Sequence, residues 1–260
     1  MKLEIDTQDR SLRISMSNGD AADSRTIPLF SPEAFELVSR EWVRVGWALG
    51  YYTTFTWSGQ PILQLPEDLV RLQEVVTTLQ PDLIIEMGVC EGGSLLFHAS
   101  LCEALGKGRV IGVDIQVSPA TRKALESHRL ARRIEALEGD STAPATVEEV
   151  RRRVKPGERV MVILDSHHSK EHVARELEAY APLVTEGSCI VAADGIMEDL
   201  ADVPGGESDW VWNNPASAAR EFAAMHPDEF EMREPAWLSN RGPLRKNTTY
   251  WPDGWLWRKV

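Results

Sequence analysis

Three cysteines among 260 residues leave little room for sulfur chemistry. Cys90, Cys102 and Cys189 have no metal-type spacing and are odd in number. A disulfide framework is therefore excluded as the basis of the fold, and idle thiols in a reducing compartment are expected. Long apolar runs are also missing, since none approaches the ~20 residues that a membrane span requires. Basic charge is scarce: 28 Lys and Arg stand against 40 Asp and Glu, for a net charge of −12. That balance argues against nucleic acid and against an anionic membrane surface as partners. The short basic cluster Arg151, Arg152, Arg153 and Lys155 follows Glu148 and Glu149, and reads as a solvated helix C-terminus. Internal repeats and low-complexity segments are absent. The start, MKLEIDTQDR, is too charged for a signal peptide, so a cytoplasmic protein is expected.

What is present is enough apolar residue, 43% of the chain, for one large α/β domain with a small N-terminal extension. Residues 2–16 alternate apolar and polar, a hairpin pattern, and Asn18-Gly19 adds a turn signal. Ser31-Pro32 marks a helix start, with Phe35, Val38, Trp42, Val45 and Trp47 along it. Tyr51 to Gln60 reads as a loop near the site. We place a boundary here: residues 1–60 as a hairpin-and-helix segment, 61–260 as the main domain. From Pro66 the rhythm becomes helix, strand, helix, strand. Five short apolar strands follow, at 83–85, 110–113, 134–137, 160–164 and 189–191, with helices between them. This is the pattern of a doubly wound, Rossmann-like, mostly parallel sheet buried on both faces. The tail adds a helix from Ala216 to Met225 and an antiparallel pair from 230–232 and the closing residues.

Ligands of an open parallel sheet bind at the carboxyl ends of its strands, where strand order reverses. In this chain every strand ends in an acid. The first delivers Glu86 and the glycine turn Gly88 to Ser94, and the second delivers Asp114. The third delivers Glu138 and then Asp140-Ser141, the fourth Asp165 followed by Ser166, His167 and His168, and the fifth Asp194. The acidic turn is a poor cradle for pyrophosphate. It suits a cofactor carrying ammonium and sulfonium groups, with Asp114 placed for ribose hydroxyls. S-adenosylmethionine (SAM) is thus favoured over a nicotinamide dinucleotide on charge grounds, and the lack of a Tyr-x-x-x-Lys pair also argues against a nicotinamide-linked reductase.

Several runs together resemble the cephalosporin hydroxylase/rhamnosyl O-methyltransferase family. They are Gln64-Leu65-Pro66-x-Asp68-Leu69, IIEMGVCEGGSLLFHASL at 84–101, VIGVDI at 110–115, LDSHHSKEHVARELEAYAPLV at 164–184, IMEDL at 196–200, NNP at 213–215 and PDGWLWR at 252–258. The resemblance covers roughly residues 57–258. It implies a class I methyltransferase fold, bound SAM, Mg²⁺, a homo-oligomer, and small-molecule acceptors that include sugars in natural-product and antibiotic biosynthesis. Carried onto this chain, it makes Glu86, Gly88 and Ser94 SAM contacts and Asp114 the ribose ligand, with Asp140 and Ser141 flanking the adenine. Asp165 and Asp194 become metal carboxylates. Some relatives carry adjacent acids after the fifth strand, where this chain has Ala193-Asp194-Gly195, so Glu198 or Asp199 is the candidate replacement ligand. An acceptor hydroxyl must lose a proton, which points to His168 as general base, with His167 second. His98 and His172 are expected to be structural. Trp210 and Trp212 are candidates for a pocket wall or lid. Transfer to nitrogen, or a SAM-binding accessory subunit of a partner oxygenase, are the alternative readings.

Overall fold

The computed structural model describes residues 1–16 and 24–260. The chain opens with strands β1 (Lys2–Asp6), β2 (Ser11–Ser15) and β3 (Ser24–Pro28), an antiparallel sheet in the order β1-β2-β3. The first two form the hairpin read from alternation, and the third adds a strand that alternation alone did not reveal. The Asn18-Gly19 turn signal lies outside the described residues. Helix α1 (Pro32–Ala48) starts where Ser31 accepts the Ala34 amide at 3.2 Å, with Pro32 at the first helical position. A 3-10 turn at Tyr51–Thr54 leads into the short hairpin β4 (Thr56–Trp57) and β5 (Gln60–Pro61), where a loop was expected.

The main domain then runs α2 (Pro66–Leu79), β6 (Leu83–Met87), α3 (Gly93–Ala104), β7 (Arg109–Asp114), α4 (Pro119–Ser127), β8 (Ile134–Glu138), α5 (Pro144–Arg153), β9 (Val160–Leu164), α6 (Lys170–Tyr180) and β10 (Cys189–Ala192). It closes with α7 (Pro215–Met225), β11 (Phe230–Met232) and β12 (Trp255–Arg258). The seven-stranded sheet has the order β11-β12-β10-β9-β6-β7-β8. The five strands β6 to β10 are parallel, and β12 pairs antiparallel to both β10 and β11. The expected strands and the tail pair are therefore all present.

Every residue of β6 and β9 is buried, as the uninterrupted apolar runs require of central strands covered on both faces. One apolar layer joins Ile84 and Ile163 to α2, α3 and Trp251; the other joins Ile85 and Met87 to α5, α6 and α7. The strand sequence climbs outward from β6 through β7 and β8, and outward the other way from β9 through β10. The order thus reverses between β6 and β9, and the crevice lies beyond their carboxyl ends. Helix α1 is tied to this end of the sheet: Arg40 pairs with Asp199 at 3.1 Å, Arg44 with Asp202, and Trp47 meets Trp210 edge-on with ring centroids 5.5 Å apart. Among the described residues, no helix is long and apolar enough to cross a membrane. The basic end of α5 is a solvated surface, with Arg151, Arg152 and Arg153 paired to Glu148, Glu149 and Glu135.

Candidate active site

A cleft of about 360 Å³ opens beyond β6 and β9. Its walls are the glycine turn from Gly88 to Ser94, the β5–α2 link from Pro61 to Gln64, the ends of β9 and β10, and the aromatic rings of Trp47, Tyr52, Trp210 and Tyr250.

The glycine turn is built by close packing. Gly88 has φ +101°, and a Cβ there would lie 2.0 Å from the Asp165 carbonyl oxygen. The turn can therefore pass over the end of β9 only with glycine at this position. Gly93 begins α3 under Pro61, whose carbonyl oxygen would meet a Cβ at 2.1 Å. Acidic side chains then hold the turn from below. Asp114 Oδ2 accepts the amides of Val89 at 2.8 Å and Cys90 at 3.0 Å, and its Oδ1 accepts that of Gln116. Glu86, 2% exposed, accepts the Ser94 hydroxyl at 2.9 Å and faces His98 Nε2 at 3.5 Å. Of the residues expected to contact SAM, Gly88 and Ser94 line the cleft. Glu86 and Asp114 hold the turn through hydrogen bonds to Ser94, Val89 and Cys90.

The third strand's residues are engaged elsewhere. Asp140 is exposed and caps the turn to Thr142. Ser141 is buried; its hydroxyl donates to Glu176 Oε1, as does that of Ser166, and His172 Nε2 sits 3.2 Å from the same oxygen. His98 and His172 are both inside protein networks, in keeping with structural roles. The Glu176 network went unnoticed in the sequence, because a Glu within an amphipathic helix reads as solvated.

The ends of β9 and β10 hold a different arrangement. Asp165, His168 and Asp194 each offer one donor atom, and these atoms all lie within 4.8 Å of one another. His168 Nε2 is 3.5 Å from Asp194 Oδ2. Gln64 Nε2 donates to Asp165 Oδ2 at 2.7 Å. Asp194 has φ +59°, a left-handed conformation that Asp tolerates better than most residues, and this turns its carboxylate back toward β9. Burial holds the Asp165 carboxyl well above the usual range, reinforced by the charges of Asp194, Glu86 and Glu176 and opposed by the Gln64 hydrogen bond. Burial raises Asp194 as well, while His168 pulls it down. Two carboxylates and an imidazole that converge in a low-dielectric cleft attract a proton or a cation. The donor set is oxygen-rich and open on one side, which fits a divalent cation that keeps several waters.

Two expected residues are not in this cluster. Glu198 is exposed and forks onto Arg220 at 2.9 Å, an α7 residue that also binds Asp253 at 2.8 Å. The choice of Glu198 as replacement ligand is corrected: the 3-10 turn at Gly195–Asp199 carries it away from Asp194, toward a cation that sequence proximity did not reveal. His167 is exposed, hydrogen-bonds Ser169 Oγ at 3.0 Å and sits beside His172, leaving His168 alone of the pair on the cleft. Trp210 lines the cleft, whereas Trp212 is 59% exposed and does not. Gln64 and Tyr250, which sequence reasoning gave no role, both line it. The signal for Gln64 was its place in the Gln-Leu-Pro run; Tyr250 had none beyond the aromatic tail.

Comparison with known proteins finds relatives of the chain. The family model described as Rhamnosyl O-methyltransferase/CmcI matches residues 49–259. A rhamnosyl O-methyltransferase of Mycobacterium leprae is 36% identical over 149 residues, 55% of this chain and 61% of that protein. The chain thus spans about three-fifths of the length of that relative. Among solved structures, CmcI with Mg and SAM superposes with a TM-score of 0.54 at 21% identity, over 80% of this chain and 78% of that one. MycE from the mycinamycin biosynthetic pathway, in complex with Mg, SAH and mycinamycin VI, gives 0.51 at 16% identity over 94% and 68%. These likenesses show a class I methyltransferase fold. With the family model matched along most of its length, the chain belongs to the Rhamnosyl O-methyltransferase/CmcI family.

Proposed function

We propose that this protein is a SAM-dependent O-methyltransferase whose acceptor is a hydroxyl of a sugar or other small specialised metabolite. The observation that carries this reading is the Asp165–His168–Asp194 cluster in a cleft that the glycine turn also lines. Bound SAM supplies an electrophilic methyl group on a sulfonium, and a bound divalent cation supplies Lewis acidity for the acceptor hydroxyl. The glycine turn and Ser94 would hold SAM, with Asp114 and Glu86 fixing that turn rather than reaching past it. Asp165 and Asp194 would hold the metal.

Transfer needs the acceptor oxygen in line with the methyl carbon and sulfur, so most of the protein's contribution is positioning. His168 Nε2, the ring nitrogen nearest Asp194, takes the hydroxyl proton as the C–O bond forms and the C–S bond breaks. Asp194 stabilises the imidazolium that results. Trp47 and Trp210 present ring faces and edges to the acceptor, in keeping with residues 1–60 acting as a cap on the cleft. The exposed apolar face of α1, with Phe35, Trp42, Val45 and Leu49, is our candidate for the contact of a homo-oligomer; light scattering of wild type and of Trp42→Glu with Leu49→Glu tests that assignment.

Calorimetric titration of SAM tests the central assignment. Saturable binding in the micromolar range, weakened at least ~tenfold in Asp114→Ala, is expected. No binding by folded, ligand-free protein would overturn it. For His168, the pH profile of His168→Ala decides. If it is the base, activity at neutral pH falls by a factor on the order of 10²–10⁴ and recovers partly as pH rises. If instead it is a third metal ligand, the loss is reversed by excess metal.

A further inference from the structure

Two buried polar atoms beside the cluster lack a partner. Tyr250 is 2% exposed and Gln64 is 6% exposed, and both side chains line the cleft. Tyr250 Oη and Gln64 Oε1 make no hydrogen bond in the protein. The rest of each residue is held firmly. The Tyr250 amide donates to Asp68 Oδ2 at 2.8 Å, and its ring meets Tyr52 edge-on at 6.2 Å. The Gln64 amide nitrogen is committed to Asp165 Oδ2 at 2.7 Å, which leaves its oxygen as an acceptor and nothing else. Buried hydroxyl and amide groups are almost always satisfied, so orphans in a ligand cleft point to a partner that arrives with the ligand.

We propose that Gln64 Oε1 and Tyr250 Oη read hydroxyl groups of the acceptor that are not themselves methylated. This rests on the acceptor reading above and deepens it: the pair selects a ring carrying at least one free hydroxyl next to the one that reacts. Gln64 Oε1 requires a donor, so an acceptor whose neighbouring hydroxyl is missing or already etherified leaves this oxygen buried and unpaired. A site built around hydrogen bonds to a hydroxyl rejects the analogue lacking it strongly. Because Gln64 also holds Asp165, reading this hydroxyl and orienting the metal carboxylate are linked through one amide. Tyr250 is tied through Asp68 to the start of α2, so its hydroxyl is positioned before any ligand arrives.

The test pairs Tyr250→Phe with acceptor analogues, using methyl α-rhamnopyranoside and its single-deoxy derivatives as probes with SAM and Mg²⁺. Tyr250→Phe removes one unpaired atom, so the fold is expected to melt at or above the wild-type temperature with SAM binding unchanged. Its KM for the parent glycoside is expected to rise at least ~tenfold, and its discrimination against one deoxy derivative to collapse by a similar factor. Gln64→Leu is expected to lose discrimination at a different hydroxyl and to lower kcat as well, through Asp165. If wild type methylates the glycoside but both variants keep its KM and its discrimination, this inference is overturned while the methyltransferase reading stands. If wild type binds SAM and methylates none of the glycosides, the sugar-acceptor reading fails and the role of this pair falls with it.

Discussion

The two walls of the cleft are both rich in polar side chains, yet they are finished differently. Beside the glycine turn the strand-end acids have protein partners: Asp114 takes three backbone amides, and Glu86 takes Ser94 and faces His98. At the ends of β9 and β10 Asp165 and Asp194 crowd each other with only His168 and Gln64 to relieve them, and Gln64 and Tyr250 keep unpaired atoms. The strand-end acids of the first wall are satisfied without a ligand. The second is incomplete, and on the proposed function its residual charge and unpaired atoms are where a cation and an acceptor would gain their binding energy. Acids at strand ends therefore fall into two kinds, those that hold the backbone in place and those held ready for chemistry, and their hydrogen-bond partners tell them apart.

The largest effect that would break this contrast lies on the open wall. Asp165→Asn is expected to lower methyl transfer by a factor on the order of 10³ or more. Its metal-free form should nonetheless melt higher, by about 1 kcal/mol in stability, because a charge crowded by Asp194 is gone. Activity assays beside calorimetric melting check both; a lower melting point would mean that the carboxylate is structural. On the closed wall the signs reverse. Gly88→Ala is expected to cost about 3 kcal/mol or more, since its Cβ would meet the Asp165 carbonyl at 2.0 Å at a positive φ. Chemical denaturation measures this. Asp114→Ala is expected to lose about 1–3 kcal/mol from the three backbone amides it leaves without their acceptor.

Much of this was legible beforehand, for identifiable reasons. β6 and β9 announced themselves as unbroken apolar runs, and Ser31-Pro32 announced a helix start that the cap confirms. The acids at strand ends follow from chain order alone, so Asp165 and Asp194 were found. What the sequence concealed was pairing across long separations. Glu198 finds Arg220 on a different element, and Asp114 turns to Val89, 25 residues back. Tyr250 reaches the cleft because Asp68, 182 residues earlier, binds its amide. No local periodicity encodes such contacts.

An effect away from the cluster sharpens the comparison through pH. Burial pushes the Asp68 carboxyl up to about 8, against hydrogen bonds from Thr249 and Tyr250 that lower it. A folded-state value above the unfolded one means that the native state binds the proton more tightly. This contribution is full below about pH 4 and is lost as pH rises through about 8, at up to about 1.4 kcal/mol per unit between those limits. Asp68→Asn is expected to remove that slope, so its stability relative to wild type should improve from about pH 5 to about pH 8. A constant difference across that range would show Asp68 ionised in the fold.

The central claim, that one wall holds SAM and the other holds a cation and the acceptor, is tested most directly by mass spectrometry of methyl transfer from trideuteromethyl SAM to a rhamnoside. The reaction is run with Mg²⁺, after EDTA, and after Mg²⁺ is restored. The account predicts a labelled ether that disappears with chelation and returns with the metal. Transfer that continues undiminished in EDTA would contradict the metal role of Asp165 and Asp194.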